Sequence, residues 1–471
     1  MKLHDTRTNV TVTLQPITPG QVSLYTCGPT VYSEPTIGNW VAYIRWDLLV
    51  RTLLADGYDV KRVMNITDVG HLTSDADDGE DKLQKGARRD GVTAWEVARR
   101  YTDSFMQGMA ELALLPPGIM SKATEHIEEQ IDLIRRLEAG GHTYIIDDGV
   151  YFDTTTFTSY ADFAHLDLAA LKAGARVSMN TQKRNPSDFA LWKFSPTDEQ
   201  RDMEWDSPWA PPGSAARKGF PGWHIECSAM AMKYLGDTLD IHTGGIDHIP
   251  VHHTNEIAQS EAATGKPFAN IWTHANFLLV NGTKISKSLG NGFTLADLAD
   301  KGFSAMDFKL FVLQSNYRTE SNFTWDNLAA ARNRLLRWRT VACLRHQVTT
   351  GDTEQSIEPS LRKVHHSLTD DLNSPVALTH IDELMDQILQ QPDSFTTATL
   401  ERLFERLDDA LGLRLIETSQ DVSAAVRALI DQRLHARESK DWQRSDSLRD
   451  ELKSQGIGVN DTAAGSNWYY L

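Results

Sequence analysis

Four residues have side chains of the types that a tetrahedral zinc site uses. Cys27 and Cys227 offer thiolates, while His252 and Glu256 are spaced i,i+4, so on a helix both side chains project from one face. Thiolate, imidazole and carboxylate are ligands that Zn²⁺ takes in proteins. The order is not the His-Glu-x-x-His of a metalloprotease, so a water-activating protease site is not indicated.

Two loops have the composition of phosphate-binding segments. In Pro35-Thr-Ile-Gly-Asn39, Gly38 permits close approach to the backbone, and Thr36 and Asn39 can donate to phosphate oxygens. The second loop, Gly282-Thr-Lys-Ile-Ser-Lys-Ser-Leu-Gly290, places Lys284, Ser286 and Lys287 between glycines, as a cationic loop over a triphosphate requires. Each loop alone is compatible with an ordinary turn. Together they predict an ATP site. A zinc ion beside an ATP site indicates a metal that binds the thiol of a substrate.

A helix is predicted to carry one of the cysteines. Pro221-Gly222 is a start signal and Gly236 a stop signal, so Trp223 to Leu235 is expected to be helical. Trp223 and Cys227 then share a face, with an indole beside the thiol. The alternative is a core tryptophan and a core cysteine, because free cysteine is among the most buried residue types.

The elements that position these residues form a βαβ unit. Residues 22–27 and 59–67 are predicted strands, and residues 40–54 between them have helical apolar spacing. This pattern predicts a parallel sheet with ligands at the carboxyl ends of its strands. Beyond Phe293 the pattern is helical, and a helix pair with an extended tail is expected after Val422.

Bulk properties restrict the class of protein. A chain of 471 residues needs two to four domains, and three cysteines do not support a disulfide framework. No apolar run reaches membrane-spanning length and the N-terminus lacks a secretory segment, so a cytoplasmic protein with no membrane partner is expected. The net charge of −17 argues mildly against nucleic acid, although a local basic stretch surrounds Trp338 (Arg332, Arg334, Arg337 and Arg339).

With these motifs assembled, the chain resembles class I aminoacyl-tRNA synthetases and, within them, the cysteinyl-tRNA synthetases. Thr-Ile-Gly-Asn is similar to the family's His-Ile-Gly-His/Asn motif, and Lys-Ile-Ser-Lys-Ser to its Lys-Met-Ser-Lys-Ser loop. The more specific segments are Leu24-Tyr-Thr-Cys-Gly-Pro-Thr-Val-Tyr32, Asn65-Ile-Thr-Asp68, Pro221-Gly-Trp-His-Ile-Glu-Cys-Ser-Ala-Met230, Asn255-Glu-Ile-Ala-Gln-Ser260, Ala436-Arg-Glu-Ser-Lys-Asp-Trp442 and Gly456-Ile-Gly-Val-Asn-Asp-Thr462. The resemblance runs from about residue 20 to the end.

The resemblance implies a function and a set of roles. It implies a cysteine–tRNA ligase that uses ATP, L-cysteine and tRNA(Cys), with one Zn²⁺ per chain and Mg²⁺ accompanying ATP. The sequence has no obvious dimerisation segment, so a monomer is expected. The implied zinc ligands are Cys27, Cys227, His252 and Glu256, and Cys27, Thr67 and Trp223 line the amino-acid pocket. The implied ATP residues are Thr36, Gly38, Asn39, Asp247, Lys284, Ser286 and Lys287, of which Thr36, Gly38, Asn39, Lys284 and Lys287 are catalytic. The implied tRNA residues are Lys440, Trp442 and Trp468.

An α/β fold is therefore expected: a Rossmann-like parallel-sheet core with an inserted subdomain, then an all-α bundle and a small anticodon-binding domain. The expected divisions are 1–120 and 206–292 for the catalytic halves, 121–205 for the insertion, 293–350 for a stem-contact region, 351–420 for the bundle and 421–471 for the anticodon-binding domain.

Departures from the family pattern leave alternatives open. Thr36 replaces the first motif histidine, Phe220 stands where arginine is common, and His248 replaces a leucine and could compete for the metal. The alternative functions are the cysteine:amino-sugar ligase of mycothiol synthesis, which should lack a tRNA-reading C-terminus, and a catalytically silent tRNA- or cysteine-binding paralogue. Trp468 either stacks on an anticodon base or packs inside the tail.

Overall fold

The structure, a computed structural model, describes residues 1–70, 81–166, 182–197, 201–215, 217–286, 289–347, 356–462 and 465–471. Lys287 of the second phosphate-binding loop, and most of an acidic insertion at 71–81, lie outside the described residues.

Residues 2–139 form the first part of an α/β domain. Its elements are β1 (Lys2–Asp5), β2 (Val10–Thr13), β3 (Gln21–Thr26), α1 (Ile37–Ala55), β4 (Asp59–Ile66), α2 (Lys82–Asp90), α3 (Ala94–Glu111), β5 (Ile119–Lys122) and α4 (Ile127–Ala139). The predicted strand, helix and strand are therefore present, with α1 three residues longer at its start. The sequence analysis does not predict β5, which lies between α3 and α4.

An antiparallel sheet is inserted next. Its strands β6 (Thr143–Ile146), β7 (Gly149–Phe152), β8 (Phe189–Phe194), β9 (Trp205–Asp206) and β10 (Lys218–Pro221) lie in the order β6-β7-β8-β10-β9. The apolar face of α4 packs on this sheet, where Leu133 and Ile134 meet Phe152. The inserted sheet extends to Pro221, beyond residue 205.

The chain then returns to the first layer. Its elements are α5 (Trp223–Leu235), β11 (Leu239–Gly245), a 3₁₀ turn (Ile246–His248), a π-helical turn (Ile249–His253), α6 (Thr254–Thr264) and β12 (Ala269–Ala275). β11 pairs in parallel with both β3 and β12, which gives a five-stranded parallel sheet in the order β12-β11-β3-β4-β5. Cys27 after β3 and Gly244-Gly245 at the end of β11 therefore lie side by side at the carboxyl edge.

The remaining chain is largely helical. It forms β13 (Leu278–Val280), β14 (Thr283–Lys284), α7 (Leu295–Asp300), α8 (Ala305–Leu313), β15 (Ser321–Phe323), α9 (Trp325–Cys343), α10 (Glu358–Thr369), α11 (Ser374–Gln390), α12 (Thr397–Leu411), α13 (Ala424–Glu438), α14 (Trp442–Ser454), β16 (Ile457–Thr462) and β17 (Gly465–Tyr470). The α13–α14 pair and the β16–β17 hairpin match the predicted helix pair and extended tail.

Two features of this region bear on partners. The basic stretch around Trp338 faces the bundle, because Arg334 and Arg337 form ion pairs with Asp382 and Asp386 on α11. The indole Nε1 of Trp338 also donates to Asp382 (2.7 Å). In the part of the chain that the structure describes, no helix combines the length and apolarity needed to cross a bilayer.

Candidate active site and metal centre

The four predicted zinc ligands meet in one buried cluster. Cys27 follows β3, Cys227 lies on α5, and His252 and Glu256 lie on the π-helical turn and on α6. One potential ligand atom from each residue lies within 4.8 Å of the others, and all four residues are buried. Both cysteines are free thiols. The i,i+4 spacing has its expected effect, since Nε2 of His252 lies 3.0 Å from Oε1 of Glu256.

Neighbouring histidines hold these side chains in an orientation that suits a metal. Nδ1 of His252 contacts Nδ1 of His224 at 2.9 Å, which leaves its Nε2 turned toward the cluster. Oε2 of Glu256 contacts Nε2 of His242 at 3.0 Å, which leaves Oε1 on the cluster side. Outer hydrogen bonds of this kind orient ligands in metal sites. The residues present therefore fit Zn²⁺, with two soft sulfurs, one imidazole and one carboxylate oxygen.

Contacts through two further histidines connect the same cluster to Thr6 near the N-terminus. Nε2 of His253 lies 3.4 Å from Sγ of Cys27, and its Nδ1 lies 2.6 Å from Nε2 of His274. The other nitrogen of His274 contacts the hydroxyl of Thr6 (2.7 Å). Cys27, His242, His253 and Glu256 form an alternative ligand group in the described residues. This alternative contains one sulfur instead of two, so the first group suits a soft metal better.

The electrostatics of the cluster favour ionisation of the Cys227 thiol. A hydrogen bond from Cys27, together with His252, lowers the pKa of Cys227 to about 7 against the opposing effect of burial. Burial lowers the pKa of His252, but Glu256 and Cys227 raise it to about 10. Burial raises the pKa of Glu256, whereas His242 and His252 lower it to about 2. Opposite charges thus stabilise one another within the cluster.

A cavity of about 450 Å³ opens beside the cluster at the carboxyl edge of the sheet. It brings together seven of the predicted site residues, namely Cys27, Thr36, Gly38, Asn39, Trp223, Asp247 and Lys284. Cys27 belongs both to the cavity wall and to the ligand cluster. The indole of Trp223 stacks on the ring of His252, with centroids 4.5 Å apart. The cavity therefore links the predicted metal site to the predicted phosphate site.

The two phosphate-binding loops contact each other despite their separation in sequence. A Cβ at Gly38 would lie 2.7 Å from Cδ1 of Ile285, so the two loops are closely packed and a larger residue here would require the end of the Ile285 side chain to move. The backbone N–H and the hydroxyl of Thr36 both donate to Oδ1 of Asn39 (2.9 Å each), which caps α1 and leaves Nδ2 of Asn39 for a ligand. Nζ of Lys284 lies 4.5 Å from the ring centroid of Phe277 at the cavity wall.

The close packing around Gly244 explains one glycine of the Gly-Gly pair. A Cβ there would lie 2.5 Å from Cε1 of His253 and 2.8 Å from Nδ1 of His248. In the structure Gly244 provides the space into which two imidazoles pack.

Among the described residues predicted to contact cysteine or ATP, Thr67 and Ser286 lie outside the cavity wall. Thr67 is buried, where its hydroxyl accepts from Nδ2 of Asn65 (3.1 Å) and hydrogen-bonds to Glu226. The backbone N–H of Ser286 donates to Oδ1 of Asn291 (2.9 Å), which shapes the second phosphate-binding loop. Thr67 therefore does not line the cavity, although it is predicted to line the amino-acid pocket. Lys287 lies outside the described residues.

The predicted tRNA residues differ in accessibility. Trp468 on β17 is only 2% exposed and stacks on His346, while its backbone bonds to the Gln347 side chain in both directions (2.7 and 2.9 Å). The packed alternative for Trp468 is therefore the one observed. Trp442 is 56% exposed beside Arg437, and Lys440 precedes it at φ 61°.

The histidines around the cluster are the residues that sequence reasoning missed. His242 lies on the buried strand β11, and His253 directly follows the predicted ligand His252. The signal that could have found them is the unusual density of histidine between residues 242 and 274. The suspected competitor His248 belongs to neither ligand group in the described residues.

Comparison with known proteins places the chain in a family. Residues 13–333 match the model of the class I (C) tRNA synthetase catalytic domain, and residues 419–468 match that of the cysteinyl-tRNA ligase anticodon binding domain. The chain is 45% identical to cysteine–tRNA ligase 1 of Burkholderia lata, over 100% of this chain and 97% of that one. It is 41% identical to the cysteine–tRNA ligase of Treponema denticola, over the full length of both.

The fold comparison agrees. Methionyl-tRNA synthetase of Mycobacterium tuberculosis in complex with methionyl-adenylate superposes with a TM-score of 0.60 at 15% identity, covering 85% of this chain and 92% of that one. At this identity the likeness concerns the fold alone, and it confirms the predicted parallel-sheet core with a helical C-terminal region. From its matched domains and its full-length relatives, the chain belongs to the cysteinyl-tRNA ligase family of class I aminoacyl-tRNA synthetases.

Proposed function

We propose that the chain activates L-cysteine with ATP and transfers it to the 3′ end of tRNA(Cys), using a bound Zn²⁺ to select the substrate thiol. The main observation behind this proposal concerns Cys27. This residue lies in the buried two-thiol cluster and also lines the cavity whose wall includes residues of both phosphate-binding loops. A ligand in that cavity can therefore present a side chain to the metal site and a carboxylate to ATP at the same time.

In the first step an oxygen of the cysteine carboxylate attacks the α-phosphorus of ATP, and pyrophosphate leaves to give cysteinyl-adenylate. No side chain need act as a nucleophile, so positioning and charge stabilisation supply the rate. Nδ2 of Asn39 and the backbone N–H of Gly38 would donate to phosphate oxygens, since the N–H groups of Ile37, Asn39 and Trp40 already donate to carbonyls of the chain. Lys284, with Lys287 and the Mg²⁺ that accompanies ATP, would stabilise the charge on the leaving pyrophosphate.

In the second step the terminal ribose hydroxyl of tRNA attacks the adenylate carbonyl, and AMP leaves. The match to an anticodon-binding domain at residues 419–468 supports tRNA as the acceptor and disfavours the amino-sugar ligase, which should lack such a domain. Trp442 and Lys440 are the accessible candidates for contacts with the tRNA. We infer a monomeric cytoplasmic enzyme. The domain boundaries given above remain part of this proposal, except that the inserted sheet reaches Pro221.

Specificity is the role that we assign to the metal. Serine differs from cysteine by one atom, and an apolar pocket separates such near-isosteres by only about 10²-fold. When bound, Zn²⁺ supplies a soft Lewis acid that a thiolate ligates and a neutral hydroxyl cannot match. The buried thiols, His252 and Glu256 would hold it beside Trp223, at the amino-acid end of the cavity.

The test is cysteine-dependent exchange of pyrophosphate into ATP, followed by charging of tRNA with a GCA anticodon. The proposal requires both activities, with serine failing in the first. Exchange followed by transfer to an amino sugar instead of tRNA would identify the mycothiol-pathway ligase. The absence of exchange in metal-loaded protein would indicate a silent paralogue.

A further inference from the structure

His248 occupies the wall between the metal cluster and the cavity. It ends the 3₁₀ turn after β11, and it lines the cavity together with Trp223. Its ring is nearly perpendicular to that of Trp223 (87°, centroids 6.4 Å apart), and its centroid lies 5.1 Å from that of His253. It belongs to neither group of potential metal ligands in the described residues. The ring is thus close to the metal site without being part of it.

The two ring nitrogens of His248 have different surroundings. Nδ1 is fully enclosed over Gly244 and has no hydrogen-bond partner. Nε2 is not enclosed, so it is the ring atom that a ligand in the cavity can reach. A buried acceptor without a partner is tolerated better than a buried N–H without one. The favoured tautomer therefore carries its proton on Nε2 and directs a donor into the cavity.

The residues of the cavity wall indicate which part of a bound substrate the Nε2–H of His248 faces. His248 is the only imidazole among the described residues of the wall, where Lys284 and Asn39 come from the phosphate-binding loops. The ring neighbours of His248 are Trp223 and the histidines of the metal cluster, so its donor lies toward the amino-acid end. The anionic group at that end of the substrate is the carboxylate of the amino acid.

We propose that Nε2–H of His248 donates a hydrogen bond to a carboxyl oxygen of the bound amino acid, both in free cysteine and in its adenylate. This assignment rests on the proposed function and makes His248 a catalytic residue of this chain. In the transfer step the carbonyl oxygen of the adenylate gains negative charge as the ribose hydroxyl attacks. A donor already aimed at that oxygen stabilises the charge without reorganisation.

The experiment compares His248→Leu with His248→Gln in full-length, metal-loaded protein. Leucine keeps an apolar side chain against Trp223 but removes the donor, whereas the glutamine amide can place an N–H close to the position of Nε2. Because the negative charge develops in the transfer step, we expect His248→Leu to lower kcat of charging by about 10²-fold and to raise the KM for cysteine in pyrophosphate exchange. The KM for ATP, the metal content per chain and the thermal midpoint should stay at wild-type values, and His248→Gln should recover most of the rate.

A readout independent of turnover is the ¹⁵N NMR spectrum of histidine-labelled protein. Binding of a non-hydrolysable cysteinyl-sulfamoyl adenosine should shift the Nε2 resonance that is missing in His248→Gln, whereas AMP alone should not. A wild-type kcat in His248→Leu, loss of metal from that variant, no rescue by glutamine, or an unmoved resonance would each overturn the assignment. An inactive wild-type enzyme would instead refute the proposed function.

Discussion

Nε2 of His242 lies 3.0 Å from Oε2 of Glu256, and this contact determines which carboxylate oxygen is left for the metal cluster. The ring of His242 is itself held by stacking on Trp272, with centroids 4.4 Å apart and planes 17° from parallel. The chain therefore orients Glu256 through a histidine on a central strand, and that strand is part of the sheet that also positions Cys27.

The first prediction tests this contact. His242→Phe keeps an aromatic ring against Trp272 but removes the hydrogen bond, so zinc affinity should fall by about 10- to 100-fold. The measurement is a competition titration with a chromogenic chelator. His126→Phe is the matched control, since His126 is also buried but bonds to Lys122 and Tyr234 outside the cluster. Equal affinities in His242→Phe and the wild type would contradict this role.

The second prediction concerns the thiol ligand on α5. Cys227→Ser replaces a soft sulfur by a hard oxygen, so the KM for cysteine should rise far more than the KM for ATP in pyrophosphate exchange. The preference for cysteine over serine should decrease in parallel. Cys343→Ser is the control, because Cys343 is a buried free thiol in the C-terminal core. Equal losses for cysteine and ATP in Cys227→Ser would count against selection through the metal.

A third prediction concerns stability. Asp47 on α1 accepts from Arg51 (2.7 Å) and from Lys309 of α8 (2.9 Å), and all three side chains are buried. Asp47→Ala would leave two buried cations without their anion, which costs about 3–5 kcal/mol of unfolding free energy in urea titrations. Asp237→Ala, which removes the partner of exposed Lys266, should change it by less than about 1 kcal/mol. Similar effects of the two substitutions would contradict the prediction.

The same carboxylate gives a pH dependence. Burial raises the pKa of Asp47, but Lys309 and Arg51 lower it below its ordinary value. Its folded-state pKa is thus depressed, so its contribution is present in full above the unfolded value of about 3.9 and is lost as the pH falls through the folded value. The stability difference between the wild type and Asp47→Asn should therefore be constant near neutral pH and shrink in acid below pH 4. A difference that grows in acid would have the wrong sign.

The fourth prediction separates the two C-terminal tryptophans. Trp442→Ala should raise the KM for tRNA about 10-fold, within the range for loss of a stacked base, and leave pyrophosphate exchange unchanged. Trp468→Ala should lower the stability of the C-terminal region by about 3–5 kcal/mol, because it empties the core around Cys343. The tRNA titration and thermal unfolding distinguish the two. Unaltered tRNA binding in Trp442→Ala would remove this residue from the interface.

Local patterns predicted the elements that carry the site. The start and stop signals gave α5 with its observed bounds, and the i,i+4 spacing brought His252 and Glu256 into contact. The family resemblance then grouped Cys27 and Cys227, which no local rule connects. Sequence spacing could not show that the inserted sheet would leave β11 beside β3, because strand order depends on contacts between distant segments.

For the same reason the outer histidines were not predicted. His242 and His274 meet the cluster only because their strands are neighbours, and His253 faces Cys27 from a π-helical turn that apolar periodicity does not signal. β5 escaped prediction because four residues are too few to establish a period. The exposure of Trp442 and the burial of Trp468 likewise follow from tertiary packing, which cannot be inferred from the composition of the tail.

The position of Cys27 ahead of the insertion has a consequence for biosynthesis. Its backbone N–H donates to the carbonyl of Thr243, so this cysteine is anchored by a strand that the ribosome delivers much later. A nascent chain therefore exposes one thiol until the inserted sheet, α5 and α6 have all emerged. Zinc capture would then mark the moment when the two catalytic halves join, and truncated products would be left with a reactive, metal-free sulfur.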